Sequence, residues 1–132
     1  MQDAFHSPPL SHRDPRFTRT LTTTRRQLCH LTAAPDVALM VGTGTLANDA
    51  VAAQLRGLSG SVYILSNGEF GERLIDHARR WSLPMAVERH EWGAPLDWNA
   101  IERNLRHLRP AWIWAVLSET STGVLNSPER LL

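Results

Sequence analysis

The 132-residue chain contains no lysine: all 14 of its basic residues are arginine. Any reaction that needs a side-chain amine is therefore closed to these residues. Cysteine is nearly absent as well. Cys29 stands alone, which excludes an internal disulfide and a cysteine-rich metal site and suits a reducing compartment. Net charge is close to nil, at +1, so composition makes no electrostatic case for nucleic acid or a membrane surface. Long apolar runs are missing too. The opening Met1-Gln2-Asp3-Ala4-Phe5-His6-Ser7-Pro8-Pro9 lacks the basic start and apolar stretch of a signal peptide, and no stretch approaches the length of a membrane span. A cytoplasmic protein is expected. What remains, 42% apolar and 20% charged residues, is the composition of one globular domain with its own core.

The most informative stretch is Val41-Gly42-Thr43-Gly44-Thr45-Leu46-Ala47-Asn48. The apolar run Ala38–Val41 before it reads as a strand, and Thr45–Leu55 after it as a helix. Glycines let a backbone approach a ligand closely. Threonine hydroxyls cap a helix or donate to an anion, and a helix N-terminus offers free N–H groups with a partial positive charge. A phosphate cradle and a plain threonine-capped turn both satisfy this pattern.

Around that stretch the chain alternates strands and helices. Residues 1–16, with three prolines, read as an extended arm containing the polar turn Ser11-His12-Arg13-Asp14. Residues 17–132 form the remaining domain. Leu21, Leu28 and Leu31 predict a helix from Phe17 to about Thr32. Ser61–Ser66 is a continuous β-type run. Leu74, Ile75, Ala78 and Trp81 mark one face of a further helix, Pro84–Val87 a short strand, and Trp98, Ile101, Leu105 and Leu108 a helix capped by Asp97. Ala111–Leu117 reads as a strand whose Trp112 and Trp114 are core residues, and Ser127-Pro128-Glu129 as the start of another helix. Strands apolar on both faces, alternating with helices, predict an α/β fold with a mostly parallel sheet and flanking helices. Ligands bind such sheets beyond the carboxyl ends of the strands. Gly42–Thr45, Asn67–Gly71 and Ser118–Gly123 are the candidate loops there, all rich in Gly, Ser, Thr and Asn.

Two phosphate ligands fit. Gly42-x-Gly44-x-x-Ala47 satisfies the relaxed dinucleotide fingerprint, but the next strand ends in Ser66-Asn67, where that fold wants an acidic residue. The second ligand follows from a resemblance. Gly-Thr-Gly-Thr at 42–45, Asn-Gly-x-Phe-Gly-Glu-Arg at 67–73 and Glu-Thr-Ser-Thr-Gly-Val-Leu-Asn at 119–126 resemble, in order and spacing, the class V aminotransferases. The alanine–glyoxylate and 2-aminoethylphosphonate–pyruvate branches are the most similar. The Ser11-His12-Arg13 arm with Phe17 is similar to the segment that precedes the first large helix there.

The resemblance implies part of the large domain of a fold type I enzyme using pyridoxal 5'-phosphate. It implies that Thr43, Gly44 and Thr45 bind the cofactor phosphate and that Phe70 stacks on its ring. Thr120 would bond near the phenolic oxygen, Ser121 would support that loop, and His12 and Arg13 would face substrate. The partners it implies are an amino acid, a 2-oxo acid and, in the parent enzyme, a second subunit. It also implies what is not here. The lysine that carries the cofactor and the aspartate that protonates its ring nitrogen lie beyond the Glu-Thr-Ser-Thr-Gly motif in the family. No catalytic residue and no metal ligand is therefore expected among these 132 residues. The resemblance covers nearly the whole chain but only the first part of the family's length, so a fragment without transaminase activity of its own is expected. A non-catalytic partner of a full-length homologue and a dinucleotide-binding domain are the alternatives.

Overall fold

The computed structural model describes residues 9–127 and 129. The chain divides into two compact units, Met1–Val41 and Gly42–Leu132.

The first unit is built on one helix, α1 (Pro15–Thr32). It begins two residues earlier than its apolar spacing predicts. Asp14 caps it by accepting from the Arg16 amide at 2.8 Å, and Pro15 takes a first-turn position that needs no N–H. Threonine is poor helix material, but Thr20 and Thr32 donate their hydroxyls to the carbonyls of Arg16 and Leu28, at 3.0 and 2.8 Å. Ala33 closes the helix in the left-handed region (φ 53°). Arg25 then holds the returning segment through Asp36 and the Val37 carbonyl. No residue of α1 is buried.

The expected strand at Ala38–Val41 is not formed. These residues pair with no strand among the described residues, and Met40 and Val41 are exposed. An apolar, β-prone run becomes a strand only when a neighbour takes up its N–H and C=O groups.

The second unit holds α2 (Gly44–Gly57), β1 (Val62–Ser66), α3 (Glu69–Arg80), β2 (Met85–Arg89), α4 (Trp98–Leu108) and β3 (Trp112–Ala115), followed by the two-residue strands β4 (Ser118–Glu119) and β5 (Val124–Leu125). β1 lies between β2 and β3 and is parallel to both, with Tyr63 opposite Ala86 and Ile113. All five β1 residues are buried because both sheet faces are covered. Val62 and Ile64 pack against Ala52 of α2 and Leu74, Ile75 and Ala78 of α3. Tyr63 and Leu65 face the other way, against Ile101 of α4 and Leu96 just before that helix. Each of the buried Val, Leu and Ile side chains among them contributes about 1.5–3 kcal/mol.

Asp97 caps α4 as its sequence predicts, accepting from the Asn99 and Ala100 amides at 3.0 and 3.2 Å. Glu72 ties α3 to β2 through a two-pronged pair with Arg89, at 3.0 and 3.1 Å, and accepts from the Ser66 hydroxyl at 2.8 Å. The two tryptophans of β3, an edge strand of the three, part company: Trp114 packs against the Ile64–Ile75 core, whereas Trp112, at the start of the strand, stays 38% exposed. Ser118–Gly123, expected as a loop, instead contributes to a hairpin: β4 and β5 pair antiparallel, and Gly123 takes the left-handed turn position at φ 77°. Pro128 lies outside the described residues, so the expected helix start at 127–129 has no structural counterpart to compare.

Candidate functional site

Parallel strands β1 and β3 deliver two loops to the same end of the sheet. The loop after β1 runs straight into α3. Gly68 precedes the helix with no side chain to cap it. Gly71, in the first turn, packs against β1 so tightly that a Cβ there would stand 2.6 Å from Ser66 Oγ and 2.7 Å from Ser66 Cα. Between them Phe70 is 36% exposed, with the Arg73 guanidinium 5.0 Å from its ring centre.

Past β3, the hairpin strand β4 carries Glu119, which is completely buried. Its carboxylate accepts from the amides of Gly71 (3.0 Å), Phe70 (3.4 Å) and Ser121 (3.3 Å) and from the Ser121 hydroxyl. Ser121 Oγ in turn accepts from the Glu69 amide at 3.1 Å. Burial alone raises the Glu119 carboxyl, but hydrogen bonds from Ser121, Gly71 and Phe70 outweigh it and hold the group below its ordinary value. The residue after it, Thr120, is exposed and has its amide bonded to Ser118 O at 3.0 Å.

A cleft of about 340 Å3 opens beside these groups, lined by Phe70, Thr120, Ser118, Trp114 and, from α2, Asn48. Behind it the end of β1 is fastened by Asn67, whose amide donates to Ala94 O and Asn126 Oδ1, each at 2.9 Å.

α2 brings the third loop. Thr43 is its N-cap, accepting weakly from the Leu46 amide at 3.4 Å. First-turn amides of a helix have no intrahelical acceptor, and those of Gly44 and Thr45 donate to nothing among the described residues. A Cβ on Gly44 would meet nothing within 4 Å. The opening turn of α2 is thus free to hold an anion. α2 is itself anchored on α3: Asp49 Oδ1 lies 2.6 Å from His77 Nδ1 and accepts from Trp81 Nε1 at 3.3 Å. The His77 contact is the main cause holding Asp49 below its ordinary value.

Of the residues the sequence singles out, Phe70 and Thr120 line one cleft. Thr45 lines a second, of about 500 Å3, with Arg73, His77 and Arg80 of α3. Thr43 and Gly44 form the open start of α2. Ser121 is exposed, and its hydroxyl is engaged with Glu119. His12 and Arg13 belong to the first unit, where they make an exposed turn. Sequence reasoning missed Asn48, Trp114 and Glu119. Asn48 was within reach, three residues after Thr45 and so on the same helical face. Among the described residues no group of three metal-ligating side chains comes together. No described helix is long and apolar enough to cross a membrane.

The dinucleotide pattern fares poorly on this geometry. No strand leads into Gly42 among the described residues, and the end of β1 offers no acid: Ser66 donates to Glu72, and Asn67 is committed to Ala94 and Asn126.

No family model matches the chain. Over 116 residues it is 36% identical to the 2-aminoethylphosphonate–pyruvate transaminase of Klebsiella pneumoniae subsp. pneumoniae, covering 83% of this chain and 31% of that protein. Over 123 residues it is 32% identical to a soluble hydrogenase 42 kDa subunit of Anabaena cylindrica, covering 89% and 32%. The solved alanine–glyoxylate aminotransferase of Nostoc sp. matches with a TM-score of 0.81 at 28% identity, over 97% of this chain and 34% of that one. The chain is class V aminotransferase-like in both sequence and fold. It spans about a third of the length of the relatives it matches.

Proposed function

We propose that this chain supplies the phosphate- and ring-holding part of a pyridoxal 5'-phosphate-dependent aminotransferase, which moves an amino group from an amino acid to a 2-oxo acid. The observation that carries the reading is the joining of the β1 and β3 loops into one cleft, with an aromatic ring (Phe70) and a hydroxyl (Thr120) on its wall and Asn48 of α2 beside them. The residues suit the group. The free amides of Gly44 and Thr45 and the hydroxyls of Thr43 and Thr45 would hold the phosphate, which favours a helix N-terminus. Phe70 would stack on the ring, and Thr120 would donate to a polar ring substituent, with Ser121 fixing the loop beneath it. When bound, the cofactor supplies an electron sink for the substrate carbon. The lysine and aspartate this chemistry also requires are not among the roles these residues fill. His12 and Arg13 would act on the substrate side, and the parent enzyme would work as a homodimer.

Direct titration of the chain with pyridoxal 5'-phosphate and, separately, with NAD tests the reading. Saturable binding of the first, weakened about tenfold or more by Thr45→Ala or Phe70→Ala, supports it; preference for NAD would sink it.

A further inference from the structure

The first turn of α3 has the same unmet amides as that of α2, yet it is not open to a ligand. Glu69, Phe70 and Gly71 donate respectively to Ser121 Oγ, Glu119 Oε1 and Glu119 Oε2. Since Gly68 has no side chain, the capping anion arrives from a residue 48 positions downstream of Gly71. The fit is close: a Cβ on residue 68 would stand 2.5 Å from Glu119 Cγ and 2.6 Å from its Cδ. Among the described residues no arginine or histidine pairs with this carboxylate. A buried charge without a counter-ion is costly unless hydrogen-bonded, and here peptide and hydroxyl donors, with the positive end of the α3 dipole, take that part.

We infer that Glu119 is a positioning residue: as the built-in N-terminal anion of α3 it sets Phe70, at the head of that helix, and Thr120, its own neighbour, together on the wall of the cleft. The inference rests on the proposed cofactor reading of that cleft. It also explains a division of labour between the two helices. The anion place at α3 is filled from within the chain, whereas that at α2 is left free for a phosphate.

Glu119→Gln keeps the shape and replaces one accepting oxygen by an NH2, which then faces an amide or hydroxyl donor. Two measurements on the 132-residue chain test the inference. Amide hydrogen exchange at Phe70 and Gly71 is expected to speed up about tenfold or more, with β1 protection at Val62–Leu65 unchanged. Pyridoxal 5'-phosphate affinity is expected to fall about tenfold, whereas affinity for inorganic phosphate, which engages only α2, stays at the wild-type value. Unchanged exchange at Phe70 and Gly71 would overturn the inference. So would an equal loss of both ligands with β1 protection also lost, since that marks a general weakening rather than positioning. A wild-type chain that binds phosphate but not pyridoxal 5'-phosphate would overturn the cofactor reading, and Glu119 would lose its assignment to that site.

Discussion

Asn67 and Asn126 hydrogen-bond each other reciprocally through buried side-chain amides: Asn67 Nδ2 donates to Asn126 Oδ1 at 2.9 Å, and Asn126 Nδ2 returns the bond to Asn67 Oδ1 at 3.2 Å. The remaining amide hydrogens go to Ala94 O and Val116 O. The pair clasps the end of β1 to the segment after β5, directly behind the two loops of the cleft.

Replacing either partner by an acid leaves oxygen facing oxygen. Asn126→Asp is expected to cost at least about 1–3 kcal/mol at neutral pH, since the penalty of an unsatisfied buried group is larger when the group is charged. A urea midpoint within error of wild type would show that the pair is not the clasp described.

The glycines separate by what a methyl group would meet. Gly71→Ala drives a Cβ into Ser66 and is expected to destabilise by about 1–3 kcal/mol. Gly57→Ala, in the last turn of α2 with nothing within 4 Å of the added carbon, is expected to stabilise by about 0.5–1 kcal/mol. Thermal melts of the two variants should move in opposite directions.

Acid should loosen the second unit through two buried or half-buried carboxylates. Burial raises both Glu72 and Glu119. For Glu72, pairing with Arg89 and the Ser66 hydroxyl outweighs burial; for Glu119, the donors of Ser121, Gly71 and Phe70 do. Both groups therefore sit below the ordinary value of 4.5. The unfolded chain then takes up protons more readily than the folded one. The stabilisation is complete above the ordinary value and is lost as pH falls through the lower folded values. Urea midpoints are expected to hold from neutrality down to about pH 5 and then decline, less steeply in Glu72→Gln and Glu119→Gln than in wild type. A decline of equal slope in all three would assign acid sensitivity elsewhere.

Absence of lysine makes a chemical prediction. Pyridoxal 5'-phosphate mixed with the chain and reduced with borohydride should leave no adduct on any internal peptide, since no side-chain amine is present. Peptide mapping by mass spectrometry decides it; modification of the Met1 amine does not count, whereas an internal adduct would contradict the expectation.

How much of this was legible in the residues varies by element, for physical reasons. β1 could be read directly, because Val62–Leu65 is a continuous run of large, mostly β-prone side chains, as burial on both faces of a sheet favours. α4 was legible in Asp97 and the spacing of Trp98, Ile101 and Leu105. Ala38–Val41 was misleading, since its composition suits a strand but strand formation depends on a partner that composition does not reveal. Trp112, read as core, stays partly exposed at the start of β3, because how far a strand's first residue is covered depends on the packing around it and not on the run. Glu119 was the least legible of all. An acid inside an otherwise uncharged polar loop is a signal, but its donors on α3, the amides of Phe70 and Gly71, lie 49 and 48 residues back along the chain.

The helices α2, α3 and α4, the central strand β1, the glycine- and threonine-rich turn at 42–45, the three ordered motifs and the exclusion of lysine chemistry were all present in the residues. Those are local matters of side-chain type and spacing. Which loops meet, that Phe70 and Thr120 share a cleft while Thr45 lines another, and that one helix start is capped from within and the other left open all follow from the folded chain alone. Such pairings are made by hydrogen bonds and packing between residues distant along the chain, and their partners exist only once the parallel sheet has brought the loops to one end.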